Sequence, residues 1–208
     1  GTNIPLEFPE IIDIQNTELT NDAPTVFPLG ETIVTWTATD SSGNSSSQSY
    51  TITFVDNVIP EILISDETFE ATIFGGTNIP LEFPEIIDIQ NTELTNDAPE
   101  VFPLGETIVT WTATDSSGNS ASDSQQISVI DTTIPSIITP NDIQVEIYDK
   151  LGVEIDTGIP TSDDIIDSQP VITNDAPEVF PLGETIIIWT ATDSSGNSAS
   201  ATQSIKII

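Results

Sequence analysis

Hydrophobic and polar positions along the chain follow one pattern that returns at a period of about 75 residues. Within each period, short stretches alternate apolar and polar residues, and runs rich in Asn, Asp, Pro, Ser and Gly separate them. Alternation with a period of two is typical of half-buried strands, whereas the polar runs are typical of turns. The periodicity of a helix is not sustained anywhere, so the pattern predicts an all-β chain of small repeated modules.

The middle period shows which strands and turns one module is expected to contain. Residues 79–83 and 86–89 carry apolar residues in strand-like order, while the polar run 91–99 is predicted to be a loop. Residues 102–105, Phe-Pro-Leu-Gly, are predicted to form a tight turn, because Pro fixes one φ angle and Gly relieves the backbone after it. The strongest predicted strand is 106–114, with a core face of Val109, Trp111 and Ala113.

A hairpin is predicted to follow this strand. The loop from Asp115 to Asn119 fits that role, because Asp caps its own turn and Gly-Asn tolerates a positive φ angle. The return strand is expected to point Ile127 and Val129 inward. Their equivalents in the other two periods are Ile52 and Phe54, and Ile205 and Ile207.

Each period contains one tryptophan: Trp36, Trp111 or Trp189. The residues two positions away are small or apolar, so we expect all three to be the centres of module cores. The alternative is a platform on which sugars stack, and that role requires exposed indole rings.

The repeats divide the chain into three expected β-sandwich modules, at residues 1–57, 58–133 and 134–208. The segments that join them are very short, which predicts little flexing and therefore a rod. The first module has no counterpart of the lead-in residues that open the other two. Either the chain is a fragment of a longer array, as its start at Gly1 indicates, or this module accepts an edge strand from a neighbouring chain and builds a head-to-tail filament.

The formal charge of −32 limits the partners of the chain. Lys150 and Lys206 are its only basic residues, so it lacks the cationic patch that nucleic acid or an anionic membrane surface requires. Divalent cations are the expected partners instead. Cys and His are absent, which excludes disulfides and the metal sites and catalysis that depend on them. No apolar run is long enough to span a membrane. We also expect that the chain has no enzyme activity.

Acidic and amide residues recur where the predicted hairpins and module junctions lie. Calcium takes about six to eight oxygen ligands from carboxylates, amides and backbone carbonyls, which such loops offer. The alternative is that each Asp caps its own turn or is simply solvated. The densest acidic cluster, Asp163, Asp164 and Asp167, is open to the same two interpretations. The candidate calcium ligands are Asp40, Asn44, Asp56, Asp115, Asn119, Asp131, Asp193 and Asn197.

The segment Trp-Thr-Ala-Thr-Asp-Ser-Ser-Gly-Asn at residues 111–119, preceded by Phe-Pro-Leu-Gly-Glu-Thr, resembles the hyalin repeat (HYR) family. The resemblance covers nearly the whole chain. It implies an immunoglobulin-like fold and a place in extracellular adhesive proteins or microbial surface proteins. Animal hyalin repeats commonly carry a cysteine pair, and its absence here favours a microbial version. The pattern is also loosely similar to cadherin repeats, in which a linker Asp binds calcium between modules.

Together these features predict a structural or adhesive segment of an extracellular microbial cell-surface protein. A surface layer, a filament or a stalk would use such a segment, with calcium stiffening the junctions and neighbouring copies or other surface proteins as partners. The alternative function is a carbohydrate-binding accessory module of a secreted enzyme.

Overall fold

The computed structural model describes residues 2–12, 16–148 and 152–208. The described residues form strands, turns and irregular segments without a helix, which confirms the all-β prediction. The chain divides into two compact units. One comprises Gly1–Ile62, Ile86–Leu94 and Thr112–Ala121, and the other comprises Leu63–Glu85, Thr95–Trp111 and Ser122–Ile208. The module boundaries at 57/58 and 133/134, and the rod, stay predictions.

In the first period, the described residues form one antiparallel sheet of three strands in the order β1-β2-β3. Its core consists of Phe27, Val34 and Trp36, and Phe8 packs its ring against the indole of Trp36 at a centroid distance of 5.4 Å. The strands are β1 (Thr17–Asn21), β2 (Gly30–Asp40) and β3 (Ser45–Phe54).

The second period has six strands in two sheets. A two-stranded sheet pairs β4 with β6, and a four-stranded sheet has the order β5-β9-β8-β7, in which β5 runs parallel to β9. The strands are β4 (Glu61–Leu63), β5 (Glu67–Glu70), β6 (Glu85–Ile87), β7 (Thr92–Asn96), β8 (Gly105–Asp115) and β9 (Ser120–Ile130).

The third period repeats that arrangement. Its small sheet pairs β10 with β12, and its large sheet has the order β11-β15-β14-β13, with β11 parallel to β15. Ile137 of the small sheet packs onto the core of the large one, so the two sheets form a sandwich. The strands are β10 (Ser136–Ile138), β11 (Ile143–Val145), β12 (Thr161–Asp163), β13 (Val171–Asn174), β14 (Gly183–Thr192) and β15 (Ser198–Ile207).

The predictions for the central hairpin are confirmed. Strand β8 buries Val109, Trp111 and Ala113, and Gly105 takes a φ angle of +101° in the turn before it. The hairpin closes through hydrogen bonds from the Asp115 N–H to the Asn119 carbonyl at 2.9 Å and from the Gly118 N–H to the Asp115 carbonyl at 3.2 Å. All three tryptophans are less than a tenth exposed, which confirms their role in the cores and argues against a sugar platform.

One strand prediction and one loop prediction are wrong. Residues 79–83 form no ladder, because Pro80 and the following Pro84 cannot donate the hydrogen bonds a strand needs; Ile79 is nevertheless buried. The predicted loop 91–99 contains strand β7, which carries only one apolar residue, Leu94, and is held by pairing with β8. Sheet hydrogen bonds therefore override a polar composition at this edge.

Burial of the return strands departs from expectation in one period. Ile127 and Val129 of β9 and Ile205 and Ile207 of β15 are almost completely buried, as predicted. The equivalent residues of β3, Ile52 and Phe54, are only half-buried.

Candidate metal centres at two acidic clusters

Each hairpin loop is closed by an Asp–Asn pair, as the turn interpretation predicts. In the third period the Asp193 carboxylate accepts hydrogen bonds from the Asn197 backbone N–H at 2.8 Å and from the Asn197 Nδ2 at 2.9 Å. The same two bonds measure 2.8 Å each in the Asp40–Asn44 pair. The Asp115–Asn119 pair has them at 2.8 Å as well. Each Asp thus caps its own loop, whatever else it binds.

These hydrogen bonds favour the ionised carboxylates. The side-chain bond from Asn44 is the main reason that the pKa of Asp40 lies below its usual value. Burial alone would raise the pKa of Asp115 and of Asp193, but the bonds from their loops outweigh it and lower both pKa values. All three groups are therefore carboxylates at neutral pH, which is the form that binds a cation.

The first acidic cluster brings together Asp56, Asp88 and Asp115, whose nearest carboxylate oxygens lie within 4.8 Å of one another. Asp56 follows strand β3, Asp88 follows β6 and Asp115 ends β8. Such separations suit oxygens around one calcium ion, since each calcium–oxygen distance is about 2.4 Å. Without a cation, each pair of charges at that distance repels by roughly 3 kcal/mol at an effective dielectric constant of about 20.

Hydrogen bonds fix this cluster from several sides. Asp56 accepts a bond from the Val58 N–H at 2.9 Å, and its backbone carbonyl accepts one from the Asn119 Nδ2 at 3.1 Å. Gln90 donates its side-chain amide to the Asp56 carboxylate and to the Ser117 hydroxyl. The side-chain nitrogen of Asn119 therefore positions Asp56, the residue at the predicted module junction.

The second cluster has the same composition: Asp131, Asp164 and Asp193, again with carboxylate oxygens within 4.8 Å. The Ser195 hydroxyl donates to the Asp131 carboxylate at 2.8 Å, and the Asn197 Nδ2 donates to the Asp131 carbonyl at 3.0 Å. Two clusters with the same three loop positions indicate a feature that was copied with the repeat.

One carboxylate oxygen in each cluster is buried and has no hydrogen-bond partner among the described residues. These atoms are Oδ2 of Asp88 and Oδ2 of Asp164. The other oxygen of each group is held by loop N–H groups, at 2.7 Å from Gln90 in the first case and 2.8 Å from Ile166 in the second. A buried carboxyl oxygen without a hydrogen-bond partner is costly, and a cation would satisfy it.

Six of the eight predicted calcium ligands lie in or beside the two acidic clusters, and the other two do not. Asp56, Asp115, Asp131 and Asp193 lie in the clusters, with Asn119 and Asn197 as positioning residues beside them. Asp40 and Asn44 belong to no group of three acidic ligands within the described ranges. Asp88 was not predicted, and of the acidic run at 163–167 only Asp164 is a cluster member. Asp88 directly follows strand β6, and Asp164 directly follows strand β12.

The same repeat pattern relates the chain to known proteins. Residues 130–207 match the HYR domain family. Hyalin of the sea urchin Lytechinus variegatus is 34% identical over 88% of this chain and 38% of its own length. Hyalin of Strongylocentrotus purpuratus is 34% identical over 92% of this chain and 17% of its own length. Residues 130–207 therefore form an HYR domain, and the chain as a whole is similar to the hyalins.

This similarity places the chain outside the cell or at its surface. The chain spans well under half the length of these curated relatives. A third relative, the rat sushi, von Willebrand factor type A, EGF and pentraxin domain-containing protein 1, is 42% identical over 48% of this chain and 3% of its own length.

Among solved structures, the first three extracellular domains of Drosophila N-cadherin align with 88% of this chain and 78% of their own, at 15% identity and a TM-score of 0.36. Within the part of the chain that the structure covers, no helix is long and apolar enough to cross a membrane.

Proposed function

We propose that this chain is a structural and adhesive repeat segment whose module junctions are fixed by calcium. The observation that carries the proposal is the pair of equivalent acidic clusters, each with one buried carboxylate oxygen that lacks a partner. The chain has only two basic residues, Lys150 and Lys206, against 34 acidic ones, so its own side chains offer few cations to neutralise the charge of the clusters.

A cation in the second cluster would link three segments that are far apart in sequence. Asp131 follows strand β9, Asp164 follows β12, and Asp193 lies in the hairpin between β14 and β15. Binding would convert mutual repulsion into shared coordination, and the segment after β9 would lose its freedom to move against the third period. A stiff junction is what a spacer under load requires.

The similarity to the hyalins supports a non-enzymatic role in which the chain contacts other surface proteins or further copies of itself. The absence of cysteine supports a microbial cell surface, where a surface layer, a filament or a stalk would contain such segments. Head-to-tail assembly of neighbouring copies is part of this proposal.

The test is a calcium titration of chelator-treated protein by calorimetry, together with thermal unfolding. We expect two binding events with dissociation constants of roughly 0.1–1 mM and a rise in the unfolding temperature. Asp164→Asn should abolish one of the two events. Asp163→Asn is the matched control, because it removes the same charge from the exposed neighbouring residue and should leave both events intact.

Two results would count against the proposal. One is a chelated protein that shows neither heat of binding nor a shift in unfolding temperature up to about 10 mM calcium. The other is equal weakening by the two variants, because calcium would then respond to total charge and not to the cluster.

A further inference from the structure

The two acidic clusters differ in one residue that has the same place beside each of them. Gln90 lies two residues after Asp88 of the first cluster, and Ile166 lies two residues after Asp164 of the second. Each donates its backbone N–H to that Asp, at 2.7 Å from Gln90 and at 2.8 Å from Ile166. The remaining oxygen of each Asp is buried and has no hydrogen-bond partner among the described residues. Gln90 and Ile166 are therefore structurally equivalent, although one side chain is an amide and the other is apolar.

The side chain of Gln90 engages the first cluster with hydrogen bonds. Its nitrogen donates to the Asp56 carboxylate and to the Ser117 hydroxyl, the latter at 2.6 Å, and its oxygen accepts a bond from the Ser116 hydroxyl. The other carboxylate oxygen of Asp56 accepts a bond from the Val58 N–H at 2.9 Å. An amide N–H carries only a partial positive charge, so it occupies an oxygen that a cation would use without neutralising the cluster.

The side chain of Ile166 makes no such contact in the second cluster. It is 7% exposed and lines a cavity of about 340 Å³ together with Ala71, Leu104 and Val129. Because an isoleucine side chain has no polar atom, it neither donates to a carboxylate nor competes with a cation.

The junction carboxylate of the second cluster has a partner that a cation can keep. Asp131 accepts bonds from the Thr133 N–H at 3.1 Å and from the Ser195 hydroxyl at 2.8 Å. A hydroxyl carries acceptor lone pairs and rotates about its C–O bond, so it can turn its oxygen to an arriving cation. Cation binding here therefore does not require an amide to be displaced.

A fourth carboxylate adds to the charge beside the second cluster. The Asp167 N–H donates to the Asp164 carboxylate at 2.9 Å, and the Asp167 carboxylate accepts a bond from the Ser194 N–H at 2.9 Å, next to Asp193 in the chain. The residue at the equivalent place in the first cluster is the neutral Asn91. Calcium affinity depends on the charge of the groups around the ion, so the second cluster should attract calcium more strongly.

We propose that Gln90 determines the order in which the two clusters bind calcium. Its amide competes with the cation for Asp56, so the second cluster binds first and about tenfold more tightly. The first cluster binds calcium when the amide turns away, which breaks its bonds to Asp56 and to Ser117. The chain therefore responds to calcium in two steps. This inference rests on the proposed function, because it takes calcium as the ligand of both clusters.

The test is a titration of the chelator-treated full chain with calcium chloride, followed through side-chain amide signals in ¹⁵N nuclear magnetic resonance. Asn197 reports on the second cluster because its Nδ2 donates to the Asp131 carbonyl, and Asn119 reports on the first because its Nδ2 donates to the Asp56 carbonyl. We expect the Asn197 signal to move at about one tenth of the calcium concentration that moves the signals of Asn119 and Gln90.

Exchanging the two equivalent residues provides the variants. Gln90→Ile removes the competing amide and should lower the calcium concentration that half-saturates the first cluster about tenfold. Ile166→Gln places an amide in the second cluster and should raise its half-saturating concentration by a similar factor, whereas Ile166→Leu should leave it unchanged. Gln169→Ala is the control for loss of an amide, because Gln169 is exposed, and it should alter neither cluster.

Thermal unfolding in chelator shows whether each variant folds. Gln90 is only partly buried, so Gln90→Ile decides the outcome by itself should the buried Ile166→Gln change prevent folding.

Two outcomes would overturn this inference and leave the proposed function in place. One is simultaneous movement of the Asn119 and Asn197 signals in the unaltered chain. The other is an unchanged half-saturating concentration of the first cluster in Gln90→Ile. If neither signal moved up to about 10 mM calcium, both this inference and the proposed function would be wrong.

Discussion

Trp36 and Trp189 lie on strands of nearly identical sequence, yet they have different surroundings. Both indole rings are less than a tenth exposed. The Trp189 N–H is bonded to Gln203, whose amide holds the lead-in, whereas the Trp36 N–H has no acceptor in the described structure. The sequence of the strand that bears the tryptophan therefore does not determine whether the indole N–H has a hydrogen-bond acceptor.

The return strand and its neighbour make the difference. Ile205 and Ile207 lie on β15, which pairs with β11, and are almost completely buried, whereas Ile52 and Phe54 are only half-buried. A central strand buries both edges and one face, and an edge strand keeps unpaired backbone groups that invite another strand. Within the described residues, the first period thus has a packed core face beside an unpaired strand edge.

Of the changes that test this difference between the first and third periods, we expect Gln203→Ala to have the largest effect on stability. Gln203 is fully buried and bonds to Trp189, to the Asn141 carbonyl and to the Thr157 carbonyl at 3.1 Å. Its loss leaves the buried Trp189 N–H and two backbone carbonyls unpaired, so we expect about 3–5 kcal/mol of destabilisation of the third period. Denaturant unfolding followed through the Trp189 signal measures it. Tyr50→Ala is the comparison and should cost about 1 kcal/mol, because Tyr50 is partly exposed; equal costs would contradict this role of Gln203.

The next-largest effect concerns calcium binding and compares the hairpin loop of Asp193 with that of Asp40. Asp193→Asn should abolish calcium binding at the second cluster, because it removes one of three carboxylates. Asp40→Asn makes the same change in a loop outside the clusters and should leave the number of bound ions unchanged. Calorimetric stoichiometry distinguishes them, and loss of an ion in both variants would show that the loop alone binds it.

A smaller effect of opposite sign is expected from Tyr50→Gln. A glutamine at this position should accept the unpartnered Trp36 N–H, as Gln125 and Gln203 do for their tryptophans. We expect stabilisation of the first period by about 1 kcal/mol, seen as a downfield shift and slower exchange of the Trp36 indole proton. An unchanged Trp36 signal would show that the residue at position 50 does not decide whether this donor is paired.

The smallest effect is the pH dependence of the hairpin caps in chelated protein. The pKa of Asp40 is below its ordinary value of 3.8 in the folded state, so the carboxylate contributes stability above that value. The contribution is lost as the pH falls through the lower folded-state pKa. Asp40→Asn should therefore flatten the stability curve of the first period below about pH 4, measured as thermal unfolding against pH; an unchanged curve would contradict it.

The parts of the fold that local sequence determines were predictable. The alternation around Trp111 and the Asp115–Asn119 loop specify a strand and its hairpin without help from distant residues. Strand β7 was missed because pairing with β8, and not its own apolar content, keeps it extended. Residues 79–83 have the alternation of a strand, but prolines remove its hydrogen bonds.

Only the turn and junction residues of each acidic cluster could be predicted from the sequence, for a related reason. Asp115 and Asp131 stand at turns and junctions that the repeat makes visible. Asp88 and Asp164 come near them only through folding. Aligning the periods would not have found them, because Asp88 follows Ile86 and Ile87 whereas Asp164 precedes Ile165 and Ile166.

The parallel pairing of β11 with β15 also determines how the third module meets a pulling force. These strands lie near the start and the end of the module, are adjacent, and point in the same direction. Tension applied through the two ends of the module therefore slides one strand along the other. In that geometry the ladder bonds must break together instead of one after another, as they would in a hairpin pulled open from its end. The lead-in thus acts as a shear clamp.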